Sequence, residues 1–320
     1  MYNEGSMNKN FSILTDCIIK RSEGMIDVND GVSKNCFYRI YPFTTENISG
    51  YINLFDLKDK SLLTVGSSCD QVINSILMGC RDVTLLDINP YTKFYFYLKM
   101  ACILELSRDE FIKFLRFRDY PDVFKDNKEV FNIDVYNKIK LTLRLIDYES
   151  YLIWDELFQS FKPLDIRENL FSSDEGRDSE VIGSNLYLQS DILYEQTRDK
   201  IKKVIPDFIN EDLFKINFNK EFDNIWLSNI GTLLSIDKIK MITDKFSKFL
   251  KQDGSLLISY LYDTTKDTKY QNDWSEIYNL KKVFKALEEY SLSLETFVGE
   301  KSLKFGTDNI KDSVLIYRKR

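Results

Sequence analysis

SLLTVGSSCDQVINSILMG, residues 61–79, holds a strand, a tight turn and a helix in a single short span. Residues 61–66 form an apolar run that stops at Gly66, and an apolar helical stretch opens near Asp70. A turn that cradles a dinucleotide carries GxGxxG, whereas here one glycine is followed by Ser67, Ser68 and Cys69. The turn therefore suits a ligand with no pyrophosphate to enclose. Gly66 allows close backbone approach, the turn directs N–H groups at an anionic group, and the helix N-terminus adds its dipole.

Outward from this unit the pattern repeats. A second apolar strand, VTLLDIN (83–89), leads into a helix at about 91–105. Both strands are apolar throughout, as in a sheet covered on two faces. After a long interval come a short strand at 207–210, FDNIWLSNIG (222–231), a helix at 236–250 and SLLISYLYD (255–263). Past a helix near 279–290, the runs 291–299 and 312–320 read as a terminal antiparallel hairpin. Residues 107–203 differ, being rich in aromatics and charge at helical spacing, and read as a helical insertion. Before the first strand, Thr44 or Thr45 is placed to cap a short helix starting near Glu46.

Composition narrows the chemistry. The 320 residues are 43% hydrophobic and 14% aromatic, enough for a large core. A net charge of −6 speaks against sequence-independent nucleic-acid binding. Five cysteines, at 17, 36, 69, 80 and 102, form no CxxC pair and are expected as free thiols in a reducing, cytoplasmic setting. No apolar run approaches the roughly 18–20 residues of a membrane span. The chain has no histidine. Imidazole bases, Ser-His-Asp and Cys-His mechanisms and His-ligated zinc are thus absent, no metal site is expected, and acid-base work falls to Asp, Glu, Tyr, Lys or Cys.

LTVGSSCD followed by VTLLDINPYTKFYFYLKMACILELSRDEFIKFL resembles the class I S-adenosylmethionine-dependent methyltransferase superfamily. More narrowly, it resembles the 3-amino-3-carboxypropyltransferases of betaine-lipid synthesis and their uncharacterised relatives. The resemblance implies an α/β, Rossmann-like class I transferase sheet of five parallel βα units plus a terminal antiparallel hairpin, with a helical insertion. It also implies S-adenosylmethionine as cofactor. The expected division is a cap segment at 1–58, a cofactor-binding domain at 59–106 and 204–320, and an acceptor or lid region at 107–203.

Asp87 lies 21 residues after Gly66, where a carboxylate at the end of the adjacent strand can accept ribose hydroxyl protons, with Ile88 and Asn89 in the loop that starts the next helix. Asp70 is either a ligand contact or a helix N-cap. Asp212 and Leu213, in NEDLF, match the residues that flank adenine in the superfamily, and Asp212 equally suits a turn. Ser228 and Asn229 fall where relatives place a residue near the methionine portion or the reacting centre, and a simple strand end is the alternative. Arg39 is placed to pair with the methionine carboxylate and Tyr41 or Thr45 to close the pocket; an aromatic staple is the alternative there. Tyr260, Tyr262 and Asp263 are candidates for acceptor contact or proton handling, though such a loop also reads as solvated surface. The aromatic stripe of the insertion, Trp154 included, reads as core rather than catalytic.

The implied activity is transfer of a methyl or 3-amino-3-carboxypropyl group to a small-molecule or lipid-like acceptor. Two alternatives stay open: a non-catalytic binding module of the same fold, and a nicotinamide-dependent oxidoreductase.

Overall fold

The computed structural model describes residues 4–26, 36–116, 130–172, 178–259, 293–301 and 311–319. Seven strands form one sheet: β1 (Ser61–Val65), β2 (Asp82–Asp87), β3 (Asp207–Asn210), β4 (Phe222–Trp226), β5 (Leu250–Ile258), β6 (Ser293–Lys301) and β7 (Lys311–Arg318). Their order is β3-β2-β1-β4-β5-β7-β6. β1 to β5 pair in parallel, and β7 runs antiparallel to both β5 and β6. This is a doubly wound, Rossmann-like sheet with a terminal antiparallel hairpin. The winding reverses between β1 and β4, which opens a crevice outside their carboxyl ends.

Side chains alternate between two apolar layers, as the strand period of two requires. Leu62, Val83, Leu85, Trp226 and Leu257 face one cluster. Leu63, Leu86, Ile225, Leu256 and Ile258 face the other, against Ile239, Ile242 and Phe246 of helix α11 (Ile236–Ser247).

The first layer is covered by α3 (Asp70–Leu77) and α4 (Tyr91–Glu105), preceded in the chain by α1 (Glu4–Ser22) and α2 (Ile48–Tyr51). Between α4 and β3 lie α5 (Arg108–Leu115), α6 (Ile133–Ile146), α7 (Tyr148–Ser160), α8 (Pro163–Leu170), α9 (Asp178–Ser184) and α10 (Asp191–Ile201). α4 packs against α5, α6, α7 and α10. It is buried almost all round, as its apolar sequence on every face demands. Helices α5–α10 share one hydrophobic cluster with the sheet. Trp154 is fully buried in that cluster, donating its indole N–H to the Phe94 carbonyl at 2.9 Å.

Local expectations needed correction at several places, among them the fifth strand, which starts at Leu250 rather than at 255 because α11 ends at Ser247. Cys17 and Cys36, expected as free thiols, are joined in a disulfide between α1 and the segment before α2, because packing brings their Cα atoms to 5.2 Å; Cys69, Cys80 and Cys102 are free and buried. The helix expected from Glu46 begins at Ile48, and the Thr44 hydroxyl accepts the Glu46 N–H instead of capping it. The fourth strand stops at Trp226, where Ser228 takes a left-handed φ of 55° and a 3-10 turn follows. The expected helix at 279–290 lies outside the described residues. Among the described residues no helix is long and apolar enough to cross a membrane, and no group of three acidic or cysteine side chains is placed to hold a metal.

Candidate functional site

At the carboxyl edge of the sheet, β1 runs into Gly66 and β2 ends on Asp87. The half-buried Asp87 carboxylate joins the two: Oδ2 accepts the Ser67 N–H at 2.8 Å and the Thr92 hydroxyl at 2.9 Å, and Oδ1 accepts the Asn89 N–H at 2.9 Å. Burial raises its pKa above the ordinary carboxylate value, and these bonds oppose the rise. A carboxylate offers about four lone-pair sites; these bonds take three, and the Ile88 backbone N–H further favours the charged form.

The turn achieves its path without extra glycines. Ser67 and Cys69 adopt left-handed φ values of 50° and 66°. Such conformations cost non-glycine residues about 1–3 kcal/mol each. Gly66 has a different role from the one expected: a Cβ there would lie 2.4 Å from Thr92 Cγ2 and 2.7 Å from Asp87 Oδ2. The space left free by the missing side chain is filled by the protein itself.

Asp70 is neither an N-cap nor an open ligand contact. The N-cap position of α3 belongs to Cys69. The Asp70 side chain is fully buried, and Oδ1 accepts from Lys99 Nζ at 2.6 Å and from the Tyr187 hydroxyl at 2.7 Å, while Oδ2 accepts the Thr44 N–H at 2.5 Å. Lys99 is itself fully buried, donates also to the Ser68 carbonyl at 2.8 Å, and lies 4.6 Å from the Phe43 ring centroid. The sequence did carry a signal for this lysine. Lys99 sits in the middle of a helix apolar on nearly every face, where a lysine is expected to be buried and to need a partner, whereas Lys93 in the first turn stays half-buried.

Residues 38–46 cross the carboxyl edge as a strap. Asn89 Nδ2 donates to the Tyr38 carbonyl at 2.8 Å, and the Tyr95 hydroxyl donates to the Pro42 carbonyl at 2.6 Å. Thr44 N–H reaches Asp70, and Glu46 reaches the ends of β4 and β5. Thr45 is buried within the strap and Tyr41 is half-buried. Arg39 does not point its guanidinium at an open carboxylate site. Its Nη2 donates to the Glu168 carbonyl in α8.

Glu46 is the functional candidate that the sequence reading missed. Its carboxylate is buried and accepts the hydroxyls of Ser228, Ser259 and Tyr51 and the Gln71 Nε2 amide at 3.2 Å. Gln71 Nε2 also donates to Ser228 Oγ at 3.1 Å. Burial raises the Glu46 pKa, opposed by the four hydrogen bonds. The only available sequence signal was a lone acid inside the otherwise neutral, aromatic-bearing run FYRIYPFTTENISGYI, apart from its Arg39.

That pKa rise has a sign for stability. The native state holds the Glu46 proton more tightly than the unfolded chain, so the group's contribution is complete below its ordinary value of 4.5 and is lost as pH rises through the higher folded value. Glu46→Gln is expected to flatten this decline. Denaturant melts of both proteins across the acid-to-neutral range check it, and a stability difference constant with pH would remove the assignment.

The remaining predicted residues divide. Ser228 joins the Glu46 cluster, with neighbouring Asn229 half-buried in the 3-10 turn. Asp212 Oδ1 accepts the Phe214 N–H at 2.8 Å, so this carboxylate closes a turn, and Leu213 packs on the second apolar layer. That loop nevertheless abuts the Asp87 loop, since Asn210 Nδ2 donates to the Asp87 and Ile88 carbonyls at 2.9 and 2.8 Å. Ile88 is exposed. Tyr260, Tyr262 and Asp263 lie outside the described residues. A cavity of about 390 Å³ lined by Lys58, Gly79, Arg81 and Lys200 opens at the opposite, amino-terminal edge of the sheet and shares no residue with the crevice.

No protein-family model matches the sequence, and no curated protein matches it. Solved structures similar to the chain include the N-methyltransferase NodS from Bradyrhizobium japonicum in complex with S-adenosyl-L-homocysteine, at 10% identity and a TM-score of 0.40 over 84% of this chain and 85% of that one. They also include magnesium protoporphyrin IX methyltransferase (ChlM) from Synechocystis PCC 6803, at 8% identity and a TM-score of 0.39 over 85% of this chain and 80% of that one.

Proposed function

We propose that this chain is an S-adenosylmethionine-dependent group transferase, with methyl as the transferred group and a small-molecule or lipid-like acceptor. One observation carries the reading. At the switch point of a sheet of this order, the half-buried carboxylate ending β2 is locked to the backbone of the turn ending β1. A ribose hydroxyl suits this half-buried carboxylate at the end of the second strand. A pyrophosphate does not suit the turn, because Thr92 fills the space above its one glycine and the N–H groups of Gly66, Ser67, Cys69 and Asp70 already donate within the protein.

When bound, the cofactor supplies an activated carbon on a sulfonium. The protein's share is to position the acceptor in line and exclude water. The strap of residues 38–46, tied down by Asn89, Tyr95 and Asp70, excludes water at the crevice. Residues 107–203 as acceptor or lid region belong to the same proposal.

Asp87→Ala is expected to weaken S-adenosylmethionine binding by at least about tenfold, through loss of a charge-assisted hydrogen bond and of the anchor on Ser67. Isothermal titration of the full chain checks this. Unchanged affinity in a folded variant sinks the ribose assignment, and no binding by the wild type at millimolar ligand sinks the transferase reading. Product analysis then fixes the group: S-adenosylhomocysteine means methyl transfer, and methylthioadenosine means aminocarboxypropyl transfer, toward which the run KMACILELSRDEFIKFL leans.

A further inference from the structure

We propose that Glu46, together with Gln71, Ser228 and Ser259, forms a recognition site for a primary ammonium group at the switch-point crevice. Donors in this cluster are spent. Both serine hydroxyls, and the Gln71 amide N–H groups, point at the Glu46 carboxylate or at Ser228 Oγ. Acceptors are left over. Gln71 Oε1 is buried with no hydrogen-bond partner, on a side chain only 2% exposed.

Charge points the same way. All four partners of Glu46 are neutral, so among the described residues no cation compensates this buried carboxylate, in contrast to Asp70, which has Lys99. A buried, uncompensated carboxylate is unfavourable until a cation or a proton meets it, and burial does push its pKa up. A primary ammonium carries the missing charge and only donates, so it would bond to the unpartnered Gln71 Oε1 beside Glu46, whose own four lone-pair sites already accept from Ser228, Ser259, Tyr51 and Gln71. Location agrees, since Ser228 and Ser259 follow the ends of β4 and β5 and Gln71 stands in the first turn of α3.

Two sources of that ammonium exist under the transferase reading on which this inference rests: the amino group of the cofactor's methionine portion, and an amine on the acceptor. Titration of the full chain and of Glu46→Gln distinguishes them. The probes are S-adenosylmethionine, decarboxylated S-adenosylmethionine, methylthioadenosine (which lacks the ammonium) and propylamine, the last with and without saturating S-adenosylhomocysteine.

Loss of at least about tenfold for both ammonium-bearing nucleosides, with methylthioadenosine held within about twofold, supports the site and assigns it to the cofactor. Unchanged nucleosides, with propylamine bound by the wild type and lost in the variant, support the site and assign it to the acceptor. Equal weakening of all three nucleosides, or no change in any probe, overturns it in favour of a purely structural cluster. If the wild type binds no nucleoside, the transferase reading fails by itself, and propylamine alone decides the ammonium site. Should Glu46→Gln not fold, Gln71→Met carries the same comparison with an expected loss of about threefold.

Discussion

Asp70→Ala is expected to lower stability by about 3–5 kcal/mol, because it strands the fully buried Lys99 ammonium without a counter-charge. Two further groups lose their acceptor at the same stroke, the Tyr187 hydroxyl and the Thr44 N–H. The strap loses its central attachment with them. Lys99→Met is expected to cost a comparable amount by stranding the carboxylate instead. Asp70→Asn combined with Lys99→Met should cost much less than Asp70→Ala and Lys99→Met added together, since the asparagine oxygen still accepts the Thr44 N–H, its amide N–H can donate to the Tyr187 hydroxyl oxygen, and no unpaired charge is left. Denaturant melts of the four proteins measure this coupling. A loss below about 1 kcal/mol for Asp70→Ala would show that the pair is open to water and that its burial is misjudged.

Gly66→Ala is the second large effect. An alanine Cβ would meet Thr92 Cγ2 at 2.4 Å, Asp87 Oδ2 at 2.7 Å and Leu85 Cδ2 at 2.9 Å. None of these contacts is tolerable, and two of the three atoms are on side chains that hold the β1 turn and the start of α4. Overpacking of this kind costs about 1–3 kcal/mol. Moving Asp87 also disturbs its bond to Ser67, so S-adenosylmethionine binding should fall together with stability. Adding Thr92→Ser removes the nearest clashing carbon while keeping the hydroxyl that donates to Asp87. The double variant should recover part of both losses. A Gly66→Ala protein as stable as the wild type would mean that Thr92 and Asp87 have room to move away from it.

Much of the architecture was legible because strands and helices are written in local periodicity. The apolar runs around Leu62 and Leu85, the helical spacing after Asp70 and the terminal pair of strands each announce themselves within about ten residues. The position of Asp87 followed from spacing alone, since a strand, a turn and a helix have nearly fixed lengths. Side-chain partnerships do not have this property. Lys99 is 29 residues from Asp70, Tyr187 is 117 residues from it, and Ser228 and Ser259 are 182 and 213 residues from Glu46. Such pairs leave no periodic trace. Asp70 thus read as a cap or a ligand, Glu46 as the start of a helix, and Arg39 as open to a carboxylate.

By itself the sequence determined the element order, the apolar strands of a sheet covered on both faces, the single-glycine turn and the carboxylate ending the second strand. Each of these depends on neighbours a few positions away. The tertiary structure alone decided that Gly66 makes room for Thr92 and Asp87, that Asp70 is committed to Lys99, and that Glu46 is buried beyond the ends of β4 and β5 with no cation beside it among the described residues. Those outcomes depend on which side chains the folded sheet brings to one edge, and on how far burial there raises the cost of an unmatched charge.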